Sequence, residues 1–328
     1  PIHAFFSQSA SNGDGSKMYF VGGSNASSTY TNNVWEYTLS TNSWAELATT
    51  GTTLPAVNSH ALVFYNNALY VFGGWVNPNN RNTLHKLDLG ETPAVWSLIS
   101  PSGTLIDERR SVRAVMWGSK LLVYGGYSTG PEKDLWEINL DSSTPTWNEL
   151  DNGSTMTNTS TDYGVSLGVY NNKLSLVVKS KTPSTKLNYC EYDLNHTGTG
   201  SGWTEWTETT TTGAPSNRRT MASTMIGDKL YFYGGVVVAK TNVFYMLDVT
   251  NKEFTLISSS MSTPFLSHCG LSAMDNGTKL ILYGSEYDAN NTPTTPYTLQ
   301  YAIPTTFPTG WNGLVTMYES SVAPSSTS

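Results

Sequence analysis

The feature that most constrains this chain is a repeat. A short apolar run ending in Gly-Gly occurs at 18–23 (MYFVGG), 69–74 (LYVFGG), 121–126 (LLVYGG) and 230–235 (LYFYGG). Degenerate copies stand at 174–179 (LSLVVK) and 280–285 (LILYGS). The first glycine or its equivalent falls at 22, 73, 125, 178, 234 and 284, in steps of 51, 52, 53, 56 and 50. Six units of about fifty residues therefore fill the chain. A period of this length belongs to architectures in which each unit is one supersecondary element that buries its apolar surface against its neighbours.

Each unit carries a second mark, an aromatic followed three residues later by a large apolar residue: Trp44 and Leu47, Trp96 and Ile99, Trp147 and Leu150, Trp203 and Trp206, Phe254 and Ile257, Trp311 and Leu314. Between the marks lies an alternating run, as in VWEYTL (34–39), LWEINL (135–140), YCEYDL (189–194) and FYMLDV (244–249), and before the glycines lies another, HALVFY (60–65). Period-two alternation over five or six residues is a strand pattern. Each unit then reads as four short antiparallel strands. Composition agrees: 12% of residues are aromatic and only 13% charged, with Ser, Thr and Asn dominating the polar fraction, which favours strands and turns. The expected architecture is all-β, with units at about 1–50, 51–102, 103–155, 156–210, 211–260 and 261–319 and a Ser/Thr-rich tail at 320–328.

The marks have physical reasons. Gly-Gly permits positive φ and close backbone approach, and the spaced aromatics fill the broad outer part of the wedge between units. Asp88, Asp193 and Asp248, with Asn139 in the same place, close the third strand and are read as turn residues rather than catalytic acids.

Gly-Gly, spaced aromatic and fifty-residue period together resemble the kelch family of β-propellers over nearly the whole chain. The resemblance implies a six-bladed kelch-type propeller with four antiparallel strands per blade, acting by binding. Unit four departs from the pattern by lacking both glycines and unit six by lacking the second. Kelch-type propellers also include copper radical oxidases, whose site needs two histidines, a metal-bound tyrosine and a cysteine-linked tyrosine near the axis. Here His85 falls on a third strand at the aromatic core position and His196 in the following turn, leaving His3, His60 and His268 on first strands nearest the axis. No carboxylate recurs beside them, and Ser59-His60 and Ser267-His268 match the polar pair that opens many kelch first strands. These histidines are read as structural, with no metal and no cofactor expected; a radical-oxidase-like or sugar-isomerising enzyme is the alternative. Cys190 and Cys269 lie in units four and six, which are not neighbours in a ring, so both are expected to be free thiols.

Two arginine pairs carry the binding expectation. Arg109-Arg110 and Arg218-Arg219 stand at equivalent places just before the first strands of units three and five. In kelch adaptors that resemble this chain, arginines there line the channel mouth and grip acidic peptides, as the planar guanidinium suits carboxylates. Connections from strand four to strand one and from strand two to strand three open on one side, which also receives Arg81, Trp75 and Tyr127. The expected ligand is a protein or a carbohydrate.

The net charge of −7 and the lack of a Lys/Arg cluster exclude nucleic acid as a partner. No apolar run approaches the roughly 20 residues of a membrane helix. The chain opens at Pro1 without a signal-like segment and reads as processed or a fragment. Asn-x-Ser/Thr acceptors at Asn25, Asn152, Asn158, Asn195, Asn276 and Asn290 point to an extracellular or cell-surface, adhesive glycoprotein. Those at Asn25, Asn152 with Asn158, and Asn290 are assigned to units one, four and six on the arginine-bearing side, leaving units two and three open. A further expectation concerns closure. Unit one begins with its own first strand, His3 to Ser9, and unit six ends with its own fourth, from Trp311, so the ring closes by side-chain packing without backbone bonds. Val315 to Ser320 then prolongs the outermost strand and offers an edge for self-assembly into a homo-oligomer or homopolymer.

Overall fold

The tightest local constraint is the hairpin that opens each blade. In two blades its turn is Asn-Asn, and all four residues take positive φ: Asn66 at 45°, Asn67 at 54°, Asn171 at 49° and Asn172 at 57°. Two successive left-handed residues make the turn whose twist matches paired strands. Register follows at once, with Tyr65 opposite Ala68 and Tyr170 opposite Lys173. The computed structural model describes residues 2–3, 8–25, 29–157, 165–179, 185–198, 200–206, 213–218, 221–235, 242–258, 266–287, 293–303 and 318–320. At 2–3, 24–25, 258, 266–268, 285–287, 293–297 and 318–320 it describes the backbone alone.

These hairpins extend into six antiparallel sheets, each with strands in chain order from inside to outside, and no helix occurs among the described residues. The protein is a six-bladed β-propeller. The inner strands are Ala10–Ser11, Ala61–Tyr65, Arg113–Trp117, Ser166–Tyr170, Ala222–Ile226 and Leu266–Met274. Asp88, Asn139, Asp193 and Asp248 end third strands, and each accepts a backbone N–H two residues on, at 2.9–3.0 Å. They are turn residues, as their spacing indicates.

The Gly-Gly pair joins one blade to the next. Gly23 N donates to Val57 O at 2.9 Å and Gly74 N to Arg109 O at 2.8 Å, so each pair receives the chain arriving at the following blade. A Cβ on Gly22, whose φ is +64°, would stand 2.4 Å from Val57 O. Only glycine allows that approach. Where the glycines are lost, in blade four, the second strand runs on as Lys173–Lys179 against Leu187–Asp193. The blade keeps its four strands without them.

The apolar core is divided into wedges, one between each pair of adjacent blades. Tyr70, Phe72 and Leu84 of blade two meet Val123, Trp136 and Trp147 of blade three. Met18, Phe20, Trp35 and Trp44 of blade one meet Met274, Ile281 and Tyr283 of blade six. This last wedge is the seam. Phe20 and Trp44 lie 4.9 and 4.7 Å, centroid to centroid, from Tyr283. The Trp44 indole donates to Thr298 Oγ1 at 2.9 Å, and the Gln300 amide to the Tyr37 hydroxyl at 2.8 Å.

Three expectations about the chain ends are corrected. The inner strand of blade one is Ala10–Ser11, paired with Met18 and Tyr19, whereas Ile2–His3 pairs with Ser24–Asn25. His3 is thus not on a first strand. Strand pairing puts Gln8 level with the start of the other inner strands, so residues 2–3 precede the ring of inner strands. The outermost strand of blade six is Tyr318–Ser320, opposite Thr298, Leu299 and Gln300. The alternation there belongs to the fourth strand itself rather than to an extension of it; Trp311 and Leu314 lie outside the described residues. Each blade does draw its strands from one stretch of chain, but backbone bonds also cross the seam. Asp275 N donates to Gly15 O at 2.9 Å and Asn276 N to Asp14 O at 3.1 Å. Gly15 has φ +67°, and a Cβ there would sit 2.6 Å from Asp275 N.

The outer edge of blade two carries a fifth strand, Thr49–Gly51, running parallel to Ala94–Ile99. It is part of the connection from blade one, and it covers an edge otherwise open to pairing with another chain.

Because Trp44 fills the seam and bonds Thr298, Trp44→Ala is expected to cost about 3–5 kcal/mol, as large aromatic truncations in cores do. Hydrogen exchange locates the damage: the amides of Asp275 and Asn276 are expected to lose protection first, before those between blades two and three.

Candidate functional site

The connections between blades and those inside blades are stitched together on one side of the ring. Asn58 bridges Trp75, and Arg110 bridges Tyr127, each pair joining an incoming chain to the residue that follows Gly-Gly. Both kinds of connection therefore share a side. Trp75–Val76 folds back on Asn79–Asn80 as a short hairpin. The Arg110 guanidinium lies over two rings, 4.9 Å from the Trp75 centroid and 4.8 Å from that of Tyr127. Its Nη1 donates to Asn80 Oδ1 at 3.2 Å, while the Asn80 amide donates to the carbonyls of Tyr127 and Ser128, both at 3.2 Å. Arg81 Nη1 donates to Asn80 O at 3.2 Å. Trp75, Asn80, Arg81, Arg110 and Tyr127 are all half-buried.

This arrangement has chemical consequences. Two rings near a guanidinium hold it by cation–π attraction, about 0.5–1 kcal/mol each at a solvent-facing site. The five N–H donors lie in the guanidinium plane and make its edge the polar surface. A planar cation with fixed orientation matches a carboxylate.

The neighbouring arginines behave differently. Arg109 is 2% exposed, and its guanidinium donates to Asp134 Oδ1 at 2.6 Å, Gly125 O at 3.1 Å and Asp107 O at 3.1 Å. Arg218, 4% exposed, repeats this in blade five, donating to Gly234 O and Ser216 O and facing the Tyr245 ring. Both brace the Gly-Gly carbonyl sixteen residues on, which corrects the expectation that they face a ligand. Adjacent residues of extended chain point to opposite sides, so only one of each pair can reach the surface. Arg219 lies outside the described residues.

Asn152, Asn195 and Asn276 are exposed in turns. Asn152 directly follows the fourth strand of blade three, Asn148–Asp151, and not a strand of blade four. The sector over blades two and three thus has an acceptor at its margin, contrary to the assignment from spacing. The side chain of Asn25, and Asn158 and Asn290, lie outside the described residues.

Near the axis, His60 is fully buried and neither ring nitrogen has a partner. Burial, reinforced by the Arg113 charge, pushes its pKa down to about 4. His85 packs edge-on against Trp96 in blade two, and His196 sits in a turn against Tyr192. The His268 side chain lies outside the described residues. Cys190 and Cys269 are both free and buried, Cys190 in the wedge between blades three and four. Among the described residues no three His, Cys, Asp or Glu side chains gather where a metal could bind. Sequence reasoning missed Asp134, Asn80 and Arg113. The first two have no spacing signal, whereas Arg113 was legible as a charge opening an apolar inner strand.

Comparison with known proteins agrees with this geometry. Residues 3–178, just over half of the chain, match the family described as the KLHDC2/KLHL20/DRC7 Kelch-repeats domain. The chain is a member of the kelch-repeat family. It is 30% identical to Kelch domain-containing protein 2 of Bos taurus and of Homo sapiens over 118 residues, 35% of this chain and 29% of each relative. It is 31% identical to human Host cell factor 1 over 157 residues, 42% of this chain and 8% of that protein. The matched stretch thus spans under a third of the length of these relatives.

Two outcomes test the placement of these groups. Arg109→Ala leaves Asp134 without its cation and is expected to cost about 3–5 kcal/mol, against under about 1 kcal/mol for Arg110→Ala, in chemical denaturation. For His60 the unfolded chain binds a proton near pH 6.5 and the folded chain only near 4, so stability is lost as pH falls through that window. Relative to His60→Leu, the wild-type protein is expected to lose about 3 kcal/mol more between pH 7 and 4.

Proposed function

We propose that this propeller is a non-catalytic protein-binding module whose ligand docks on the side bearing Trp75, Arg110 and Tyr127. The observation that carries the reading is the Arg110 guanidinium held against two half-buried rings, Trp75 and Tyr127. Aromatic and arginine side chains on loops are the residues around which binding energy concentrates. Because the stack is already assembled, little side-chain entropy is lost on docking. The ligand chemistry that fits is an acidic segment of a partner protein. Kelch membership supports binding in general; the acidic ligand rests on Arg110 alone. We further propose that the chain works outside the cell or at its surface, a reading supported by the exposed acceptors Asn152, Asn195 and Asn276 and tested by mass spectrometry of the natively secreted protein for glycosylated asparagine.

The docking reading is tested by selecting a displayed library of random peptides on the propeller. Asp/Glu-rich sequences are expected to emerge, and Trp75→Ala or Arg110→Ala to weaken them at least about 10-fold, with the midpoint of thermal unfolding shifted by less than about 3 °C. Peptides that bind equally to both variants would place the site elsewhere. Retention on a glycan array with no peptide selected would replace protein by sugar as the ligand.

A further inference from the structure

The inner strands start at one level around the axis. Ala61, Arg113, Ser166, Ala222 and Gly270 each pair with the last residue before the Gly-Gly position of their blade, and extending the pairing of Ala10 with Tyr19 by two residues adds Gln8. Four of these six, Gln8, Arg113, Ala222 and Gly270, line a cavity together with Ser9 and Cys269. The cavity admits the centre of a water-sized sphere over about 20 Å³. That is room for a small guest and for no peptide.

Arg113, itself half-buried, brings a positive charge to this cavity. Its Nε is shielded from solvent and has no hydrogen-bond partner, and among the described residues no carboxylate pairs with it. The groups around it cannot supply the missing negative charge. Burial pushes the Cys269 thiol up to about 12, so it stays protonated, and His60 is neutral above about pH 4. The Gln8 amide is committed to the backbone of Ala114, donating to its carbonyl at 3.3 Å and accepting from its N–H at 3.2 Å. Ser166, next round the ring from Arg113, is fully buried with its hydroxyl unpartnered. Burial lowers the Arg113 pKa only to about 10, so the guanidinium is cationic at neutral pH. A half-buried cation with one N–H shielded and unpartnered gains when an anion joins it.

We propose that this axial cavity is an anion site in which Arg113 holds a single halide ion, chloride under physiological conditions. The site is separate from the Trp75–Arg110–Tyr127 stack and does not depend on that docking reading. An anion there would join strands of blades one, three, five and six around one charge. It would thereby act as a central tie that contributes to stability by mass action.

The test is thermal unfolding in sodium bromide against sodium gluconate at equal ionic strength, gluconate being too large for the cavity. The wild-type midpoint is expected to rise saturably with bromide, by roughly 2–5 °C, and Arg113→Met to abolish the difference between the salts. A crystal of the wild-type protein grown in bromide gives a second readout that needs no variant. An anomalous peak is expected in contact with the Arg113 guanidinium. A midpoint indifferent to bromide, the same response in Arg113→Met, or a crystal with only water in the cavity would each overturn the site.

Discussion

Everything in this molecule depends on side chains from adjacent blades closing each wedge. A four-stranded sheet has two faces, and a lone blade would leave both in water. Tyr70, Phe72 and Leu84 acquire a core only because Val123, Trp136 and Trp147 stand opposite them. The same holds at the seam, where Phe20, Trp44 and Tyr283 meet although they are far apart in the chain. Closing the ring is therefore a condition of burying the sheets at all. The backbone bonds from Gly23 to Val57 and from Gly74 to Arg109 set where each next blade starts, and the wedge contacts then fix how it lies.

That dependence explains what could be read in the sequence. The repeat, the strand alternation and the Asx turns are local, repeated signals, and they led to six blades and to the roles of Asp88, Asp193 and Asp248. The ends of the chain were less legible, because nothing next to them repeats. By period alone His3 reads as an inner-strand residue, whereas its backbone pairs with Ser24. Blade four keeps its four strands although both glycines are lost.

The candidate site shows the same division at finer scale. Arg109 and Arg110 are indistinguishable by composition, yet one is enclosed against Asp134 and the other stacked at the surface. Chain direction gave the shared face, but the choice between them depended on a partner, Asp134, twenty-five residues from Arg109. Arg113 illustrates the complementary case. An arginine at the start of an inner strand is visible in the sequence, but that no described carboxylate pairs with it is a property of six blades meeting at one axis.

The strand Thr49–Gly51 imposes an order of events. It pairs in parallel with Ala94, Val95 and Trp96, so the outer edge of blade two is sealed by chain made before that blade exists. During synthesis from the N-terminus, this stretch emerges roughly forty residues ahead of its partner and has no ladder to join until the whole of blade two has appeared. In the finished blade the fourth strand lies between the third, Leu84–Asp88, and this earlier segment. From Ala94 to Trp96 it is paired on both sides and offers no free ladder to another chain.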